Sequence, residues 1–156
     1  MFFLCETGYA SHMALDELYQ ELLLDHFKNP RCQGCLPNPS AHSHVFNPLC
    51  GDQVALTVRL EADKIADLAF TGHGCSISQA SASMMAELCK GKDIGEAKEL
   101  ILSFQEMMRG EEPSAKDKLG DVLALEGVRK FSARIRCALL GWEALERCLG
   151  LKTNTD

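Results

Sequence analysis

Val54-Ala55-Leu56-Thr57-Val58-Arg59-Leu60-Glu61-Ala62-Asp63-Lys64-Ile65-Ala66-Asp67-Leu68-Ala69-Phe70-Thr71 is the stretch that decides the fold. Val54, Leu56, Val58 and Leu60 alternate with Ala55, Thr57 and Arg59, the period-2 pattern of a strand with one buried face. The polar turn from Glu61 to Lys64 then leads into a second strand-like run, Ile65 to Thr71, so the stretch predicts a β-hairpin. Gly72-His73-Gly74 breaks that strand. Beyond it, Ser76 to Lys90 contains no Gly or Pro and is rich in Ala, Met and Leu, which predicts a helix. Cys75 falls where strand hands over to helix.

Outward from the hairpin, the N-terminal side carries Leu15, Leu18, Tyr19, Leu22, Leu23 and Phe27 at three- and four-residue steps, predicting an amphipathic helix that Asn29-Pro30 ends. From Arg31 to Pro48 the prolines, Gly34 and many polar residues predict an irregular loop with a short strand near His44 to Phe46. On the C-terminal side, helices are expected from Ile94 to Arg109 and briefly from Leu119 to Leu125. In the last helix Phe131, Ile135, Ala138, Trp142, Leu145 and Leu149 form one apolar stripe, with Cys137 beside it. A strand block followed by a helix block predicts an α+β fold, a small antiparallel sheet of about three strands packed against several helices.

At 156 residues, 46% hydrophobic, the chain has enough apolar content for one core, so residues 13–150 are expected to form a single domain with a tail at 151–156. In residues 1–12, Ser11-His12 followed by Met13 resembles a cloning scar, and the segment is expected to be a tag remnant or a poorly ordered end. The net charge of -6 argues against a general nucleic-acid or anionic-membrane binder, and the apolar runs are too short to span a bilayer. A cytoplasmic protein with protein partners is expected. Eight cysteines without a secretory signal point to a reducing compartment, where thiols serve metals or catalysis.

Three cysteines stand in settings that suit chemistry. Asn47-Pro48-Leu49-Cys50-Gly51-Asp52 places a thiol and a carboxylate two residues apart on a tight turn. Cys75 opens a helix, where unpaired N–H groups and the helix dipole favour a thiolate. Cys137 supplies a third sulfur, and three thiolates with one carboxylate satisfy a tetrahedral zinc ion. From spacing alone a second reading stays open, because free cysteines are also common small core hydrophobes.

From Leu15 onward the chain resembles the U-type iron-sulfur assembly proteins. The resemblance rests on three motifs in order: Asn47 to Asp52, then Gly72-His73-Gly74-Cys75-Ser76-Ile77-Ser78 with Ala80-Ser81-Ala82-Ser83-Met84-Met85, then Arg134-Ile135-Arg136-Cys137. The stretch from roughly Gly95 to Lys116 looks like the insertion that separates the SufU branch from the IscU scaffolds. Arg136 stands where scaffold-type members carry a histidine, and their Leu-Pro-Pro-Val-Lys signal does not occur. The resemblance implies a SufE/IscU-like fold and zinc on Cys50, Asp52, Cys75 and Cys137. It also implies sulfur transfer from a pyridoxal-phosphate cysteine desulfurase of the SufS type to an iron-sulfur scaffold such as SufBCD. Cys50, on its glycine-containing loop, is the expected sulfur acceptor, and Arg134 is expected to hold Asp52 when that carboxylate leaves the metal. The rival readings are a scaffold that assembles a [2Fe-2S] cluster on the same cysteines, with iron in place of zinc, and a structural zinc domain.

Other conspicuous residues receive plainer readings. Cys32-Gln33-Gly34-Cys35 has Cys-x-x-Cys spacing but lies in a loop, and an incidental pair is expected there. Cys148 lies eleven positions after Cys137, about 16 Å along a helix, too far to share its ion. It and Cys89 are expected to be packing residues. His42 and His44 are expected to be solvated, His73 is left between orienting a ligand and facing a partner, and the pairs Met84-Met85 and Met107-Met108 are expected to fill the core.

Overall fold

In the computed structural model, residues 8–151 are described, with side chains from residue 17. The proposed end segments therefore lie largely outside the described residues. The element order is helix α1 (Gly8–Lys28), strands β1 (Ala41–Asn47), β2 (Asp52–Glu61) and β3 (Lys64–His73), then helices α2 (Ser76–Cys89), α3 (Ile94–Met108) and α4 (Lys116–Leu119), a run of 3-10 turns (Gly120–Lys130), and helix α5 (Ser132–Cys148). The strands form one antiparallel sheet in the order β1-β2-β3, so the α+β expectation holds. The hairpin pairs Leu56 with Phe70 and Val58 with Leu68.

One face of the sheet packs against α2 and α5. Val54, Leu56, Val58, Leu68 and Phe70 meet Met84, Met85, Leu140 and Leu145 there, all essentially removed from water. Phe104 stacks on Trp142 with ring centroids 4.4 Å apart, which joins α3 to α5. The approach of α5 to α2 is set by Gly141, where any Cβ would stand 3.0 Å from Ala82. Beside this contact Ser81 donates to the Ala138 carbonyl at 2.6 Å and accepts the Trp142 indole N–H at 3.1 Å. These bonds fix the middle of α5 against the first half of α2, and with it the neighbourhood of Cys137.

Three departures from the sequence reading have clear causes. The short strand expected near His44 to Phe46 is present but longer, the seven-residue β1, which takes up more of the expected loop and whose inward positions include Ser43 and Asn47. Ser43 faces inward because its hydroxyl donates to the Ala144 carbonyl of α5 at 2.7 Å, and these polar inward residues conceal the alternation. The short helix expected from Leu119 to Leu125 is instead mostly 3-10 turns, because Leu119, Val122, Leu125 and Val128 recur every three residues and are all buried. At either end of two stripes, Leu18, Phe27 and Phe131 are exposed, and among the described side chains of α1 the most deeply buried is His26.

Candidate functional site

At one end of the sheet the β1–β2 connection, the β3–α2 junction and the first turns of α5 meet. Asp52 is the first residue of β2 and pairs in register with Asn47, the last of β1. This pairing folds residues 48–51 into a tight turn closed by the Gly51 N–H on the Asn47 carbonyl at 2.8 Å, with Gly51 at φ 75°. Cys50 therefore stands at the tip of an exposed loop, next to Leu49, which is 88% exposed. Cys75 immediately precedes α2 as its cap residue. Cys137 lies on the inner side of α5 and is fully buried.

The carboxylate of Asp52, 2% exposed, joins these elements. One oxygen accepts the backbone N–H of Cys75 at 3.1 Å and the other faces the Cys75 thiol at 3.3 Å. Across the site the sulfurs of Cys137 and Cys50 are 3.8 Å apart. The donor atoms of Cys50, Asp52 and Cys137 all lie within 4.8 Å of one another. Gly74, at φ 146°, makes this approach possible, because a Cβ there would run into the Asp52 carboxylate and stand 2.9 Å from its Cα. The structure thus brings Cys50, Asp52 and Cys137 within reach of one ion and sets Cys75 against the Asp52 carboxylate beside them.

The donor set suits zinc. Zinc–sulfur bonds of about 2.3 Å place two sulfurs of a tetrahedron about 3.8 Å apart, the separation found between Cys50 and Cys137. The electrostatics agree. Burial, then the hydrogen bond with Asp52 and the closeness of Cys75 and Cys50, push the Cys137 thiol far above its ordinary value. Burial raises the Asp52 carboxyl as well, but hydrogen bonds from Cys137, Cys75 and Ser78 outweigh it and leave its pKa lowered. Burial and these neighbours keep the proton on Cys137, and a divalent cation would relieve that conflict.

Arg134 lies one turn before Cys137, exposed at the mouth of the site. Its charge faces the sulfurs of Cys75 and Cys137, which favour the guanidinium form. Beside it opens a cavity of about 680 Å³ lined by Cys75, Ser76 and Ile77 from the start of α2 and by residues 130 to 134, with Lys130 and Phe131 on the rim. The remaining conspicuous residues lie elsewhere. Cys89 and Cys148 are buried, burial raising the Cys89 thiol to about 12, and the four methionines of the two pairs are core residues. His44 is exposed and bonds Gln53 at 2.8 Å; His42 and His73 are exposed too. Cys32 and Cys35 are on the loop that runs beside the edge strand β3, where the Gly34 N–H donates to the Phe70 carbonyl at 2.8 Å and the Phe70 N–H donates to the Cys32 carbonyl at 2.9 Å. Asn47 is a site residue that spacing did not single out: 1% exposed, it reaches the Cys137 sulfur with its amide nitrogen at 3.9 Å.

The model of the NifU-like N terminal domain matches residues 18–138. The zinc-dependent sulfurtransferase SufU of Bacillus subtilis (strain 168) is 50% identical over 133 residues, covering 85% of this chain and 90% of that protein. The iron-sulfur cluster assembly scaffold protein IscU of Streptococcus pyogenes serotype M1 is 43% identical over 142 residues, covering 91% and 89%. A solved structure from Fervidobacterium islandicum AW-1, named as a candidate iron-sulfur cluster assembly scaffold protein for the SUF system, superposes with a TM-score of 0.80 at 36% identity, covering 85% of this chain and 97% of that one.

Proposed function

Because the chain belongs to the family of NifU-like N-terminal domains, we propose that it serves iron-sulfur cluster assembly as a zinc-dependent sulfurtransferase, taking persulfide sulfur from a cysteine desulfurase. The observation that carries this reading is the contrast within one donor set: Cys50 is exposed on a loop tip while its neighbour Cys137, 3.8 Å away, is buried. A purely structural zinc site has no need to present a ligand at the surface, its four positions being filled by protein groups that stay in place. Here one sulfur is presented to a partner.

Cys50, Asp52, Cys75 and Cys137 would hold the zinc, which when bound keeps the thiols deprotonated at neutral pH. The residues then divide the work. The Cys50 thiolate attacks the outer sulfur of the desulfurase persulfide; the new bond joins Cys50 Sγ to that sulfur, the donor S–S bond breaks, and the donor cysteine leaves as a thiolate. Arg134 accepts the carboxylate of Asp52 as an ion pair when the site opens, and its exposed position on the first turns of α5 gives it that reach. The cavity between α2 and α5 leaves room for a partner segment beside Cys75. The partners in this reading are a SufS-like pyridoxal-phosphate desulfurase and a SufBCD-like scaffold, met in the cytoplasm. No helix among the described residues is long and apolar enough to cross a membrane.

The scaffold reading has its own support, since the Streptococcus pyogenes relative and the Fervidobacterium islandicum structure are both named as iron-sulfur cluster assembly scaffolds. One experiment separates the two. Metal and sulfide analysis of the purified chain is paired with assays of a SufS-like desulfurase, using Cys50→Ala, Cys75→Ala and Cys137→Ala beside the unaltered protein. One zinc per chain, lost in the variants together with stimulation of the desulfurase, supports sulfur transfer. Bound iron and sulfide with visible absorbance supports a [2Fe-2S] scaffold, and zinc without any effect on the desulfurase reduces the site to a structural one.

A further inference from the structure

Asn47 has three separate bonds at the base of the site. Its side-chain oxygen accepts the Leu49 N–H at 3.2 Å, its main-chain carbonyl accepts the Gly51 N–H at 2.8 Å, and its amide nitrogen faces the Cys137 sulfur at 3.9 Å. The first two close the Cys50 loop upon its own root. The third ties that root to α5, on the far side of the donor set. Being 1% exposed and held by the register pair with Asp52, Asn47 does not follow the loop tip when the tip moves.

A hydrogen bond donated to a ligand thiolate offsets part of its charge and fixes its orientation. Cys137 receives such a donor from Asn47. The Cys50 sulfur stands 3.8 Å from that of Cys137, and on its exposed loop it has Gly51 at positive φ beside it as a pivot. We propose that Asn47 is the positioning residue that decides which sulfur moves, holding Cys137 in place as a permanent ligand while the loop rooted on the same side chain releases Cys50. The inference rests on the four residues forming a metal site, and it adds the group that makes two thiolates of one site unequal.

The test uses the full chain loaded with zinc and, separately, with cobalt(II). Asn47→Ala removes both side-chain functions. Asn47→Ser keeps an oxygen for the Leu49 N–H but is too short to reach Cys137, so it isolates the donor; it also carries the test if Asn47→Ala fails to fold. Limited alkylation with iodoacetamide, read by mass spectrometry, gives the ratio of modification at Cys50 to that at Cys137. That ratio is expected to fall at least tenfold in both variants, and the sulfur-to-cobalt charge-transfer band is expected to shift, with thermal midpoints within a few degrees of the unaltered protein. If Asn47→Ser keeps the original ratio and band, the bond to Cys137 has no such role and the proposal is overturned. An unaltered chain that shows no cobalt band overturns the metal site itself, and the proposal with it, and is recognised by that missing band. Neither readout needs the desulfurase, so a failure of the sulfur-transfer reading is seen separately.

Discussion

Two clusters of buried polar groups sit on helix α2, about 12 Å apart along its axis, and they are built on opposite rules. At its start are Cys75, Asp52, Cys137 and Cys50, acidic groups pressed together, with the Arg134 guanidinium facing two of the sulfurs from the exposed side. Two turns on, Ser83 accepts the Arg31 backbone N–H at 2.8 Å and bonds His26 Nδ1 at 2.7 Å, while Nε2 of the same ring faces Glu87 at 3.6 Å and Arg31 pairs with Asp25 at 2.7 Å. The second cluster is complete in itself, each donor meeting an acceptor, so it fastens α1 and the following turn to the fold. The first is complete only with a cation. Unresolved charge marks the place of function, and resolved charge marks a joint.

The comparison breaks most visibly at Cys137. In Cys137→Ala, zinc is expected to fall below about a tenth of an equivalent and sulfur transfer by at least about 100-fold, since a three-ligand site that has lost its buried anchor neither binds tightly nor holds Cys50 in place. The metal-free variant should nevertheless unfold close to the metal-free parent, the lost sulfur being small. Metal analysis and denaturant melts of both forms check this pair of outcomes. A large loss of stability in the metal-free state would make the first cluster a joint as well.

A smaller effect on the same side comes from Gly74→Ala. The added methyl meets Asp52, and the backbone there is at φ 146°. Asp52 has to move, so zinc affinity is expected to drop about 10- to 100-fold, as when a supporting group of a metal site is displaced. Competition with a chromogenic chelator measures it. Unchanged affinity would mean that Asp52 is not a ligand.

On the other side, Ser83→Ala is expected to cost about 2 kcal/mol, because it strands the Arg31 N–H and the His26 ring at once. Zinc content and transfer rate should stay at the level of the unaltered chain. Urea denaturation beside metal analysis separates the two; a loss of zinc would join the clusters that the comparison keeps apart.

These two clusters also differ in how they show in the sequence. Cys50 and Cys75 stood out because each has a telling local setting, a Pro-Gly turn and a strand-to-helix junction, whereas Cys137, on the flank of a helix, was joined to them by the resemblance to the U-type assembly proteins. The hairpin was legible locally as well, its alternation being unbroken. His26 was not, since it lies next to Phe27 in an amphipathic pattern and only the distant Ser83 draws the ring inward in preference to the phenyl group. Asn47 was hidden as well, as its contact with Cys137 joins residues 90 positions apart. The three-residue repeat of Leu119, Val122, Leu125 and Val128 was present in the sequence and marks 3-10 turns once that period is counted.

The least effect, and the sharpest separation of the clusters, is expected from pH. Burial lowers the pKa of His26, and so does Arg31; Glu87, Asp25 and Asp121 oppose this and do not prevail. The ring is therefore neutral in the fold at a pH where it is already protonated in the unfolded chain. Between the folded value and the ordinary 6.5 the unfolded state binds more protons, so stability rises with pH across that window and is complete above it. Asp25 and Asp52, with lowered pKa values, act in a separate window: their contribution is whole above about 3.8 and is lost below it. The urea midpoint of the metal-free chain should accordingly fall between pH 7 and pH 5, and His26→Gln should flatten that fall. Metal-free protein is needed because zinc binding releases protons and has a pH dependence of its own. If His26→Gln leaves the slope intact, the ring is not the group that titrates in this window, and the account of the His26 cluster as a joint held by a neutral imidazole has to be redrawn.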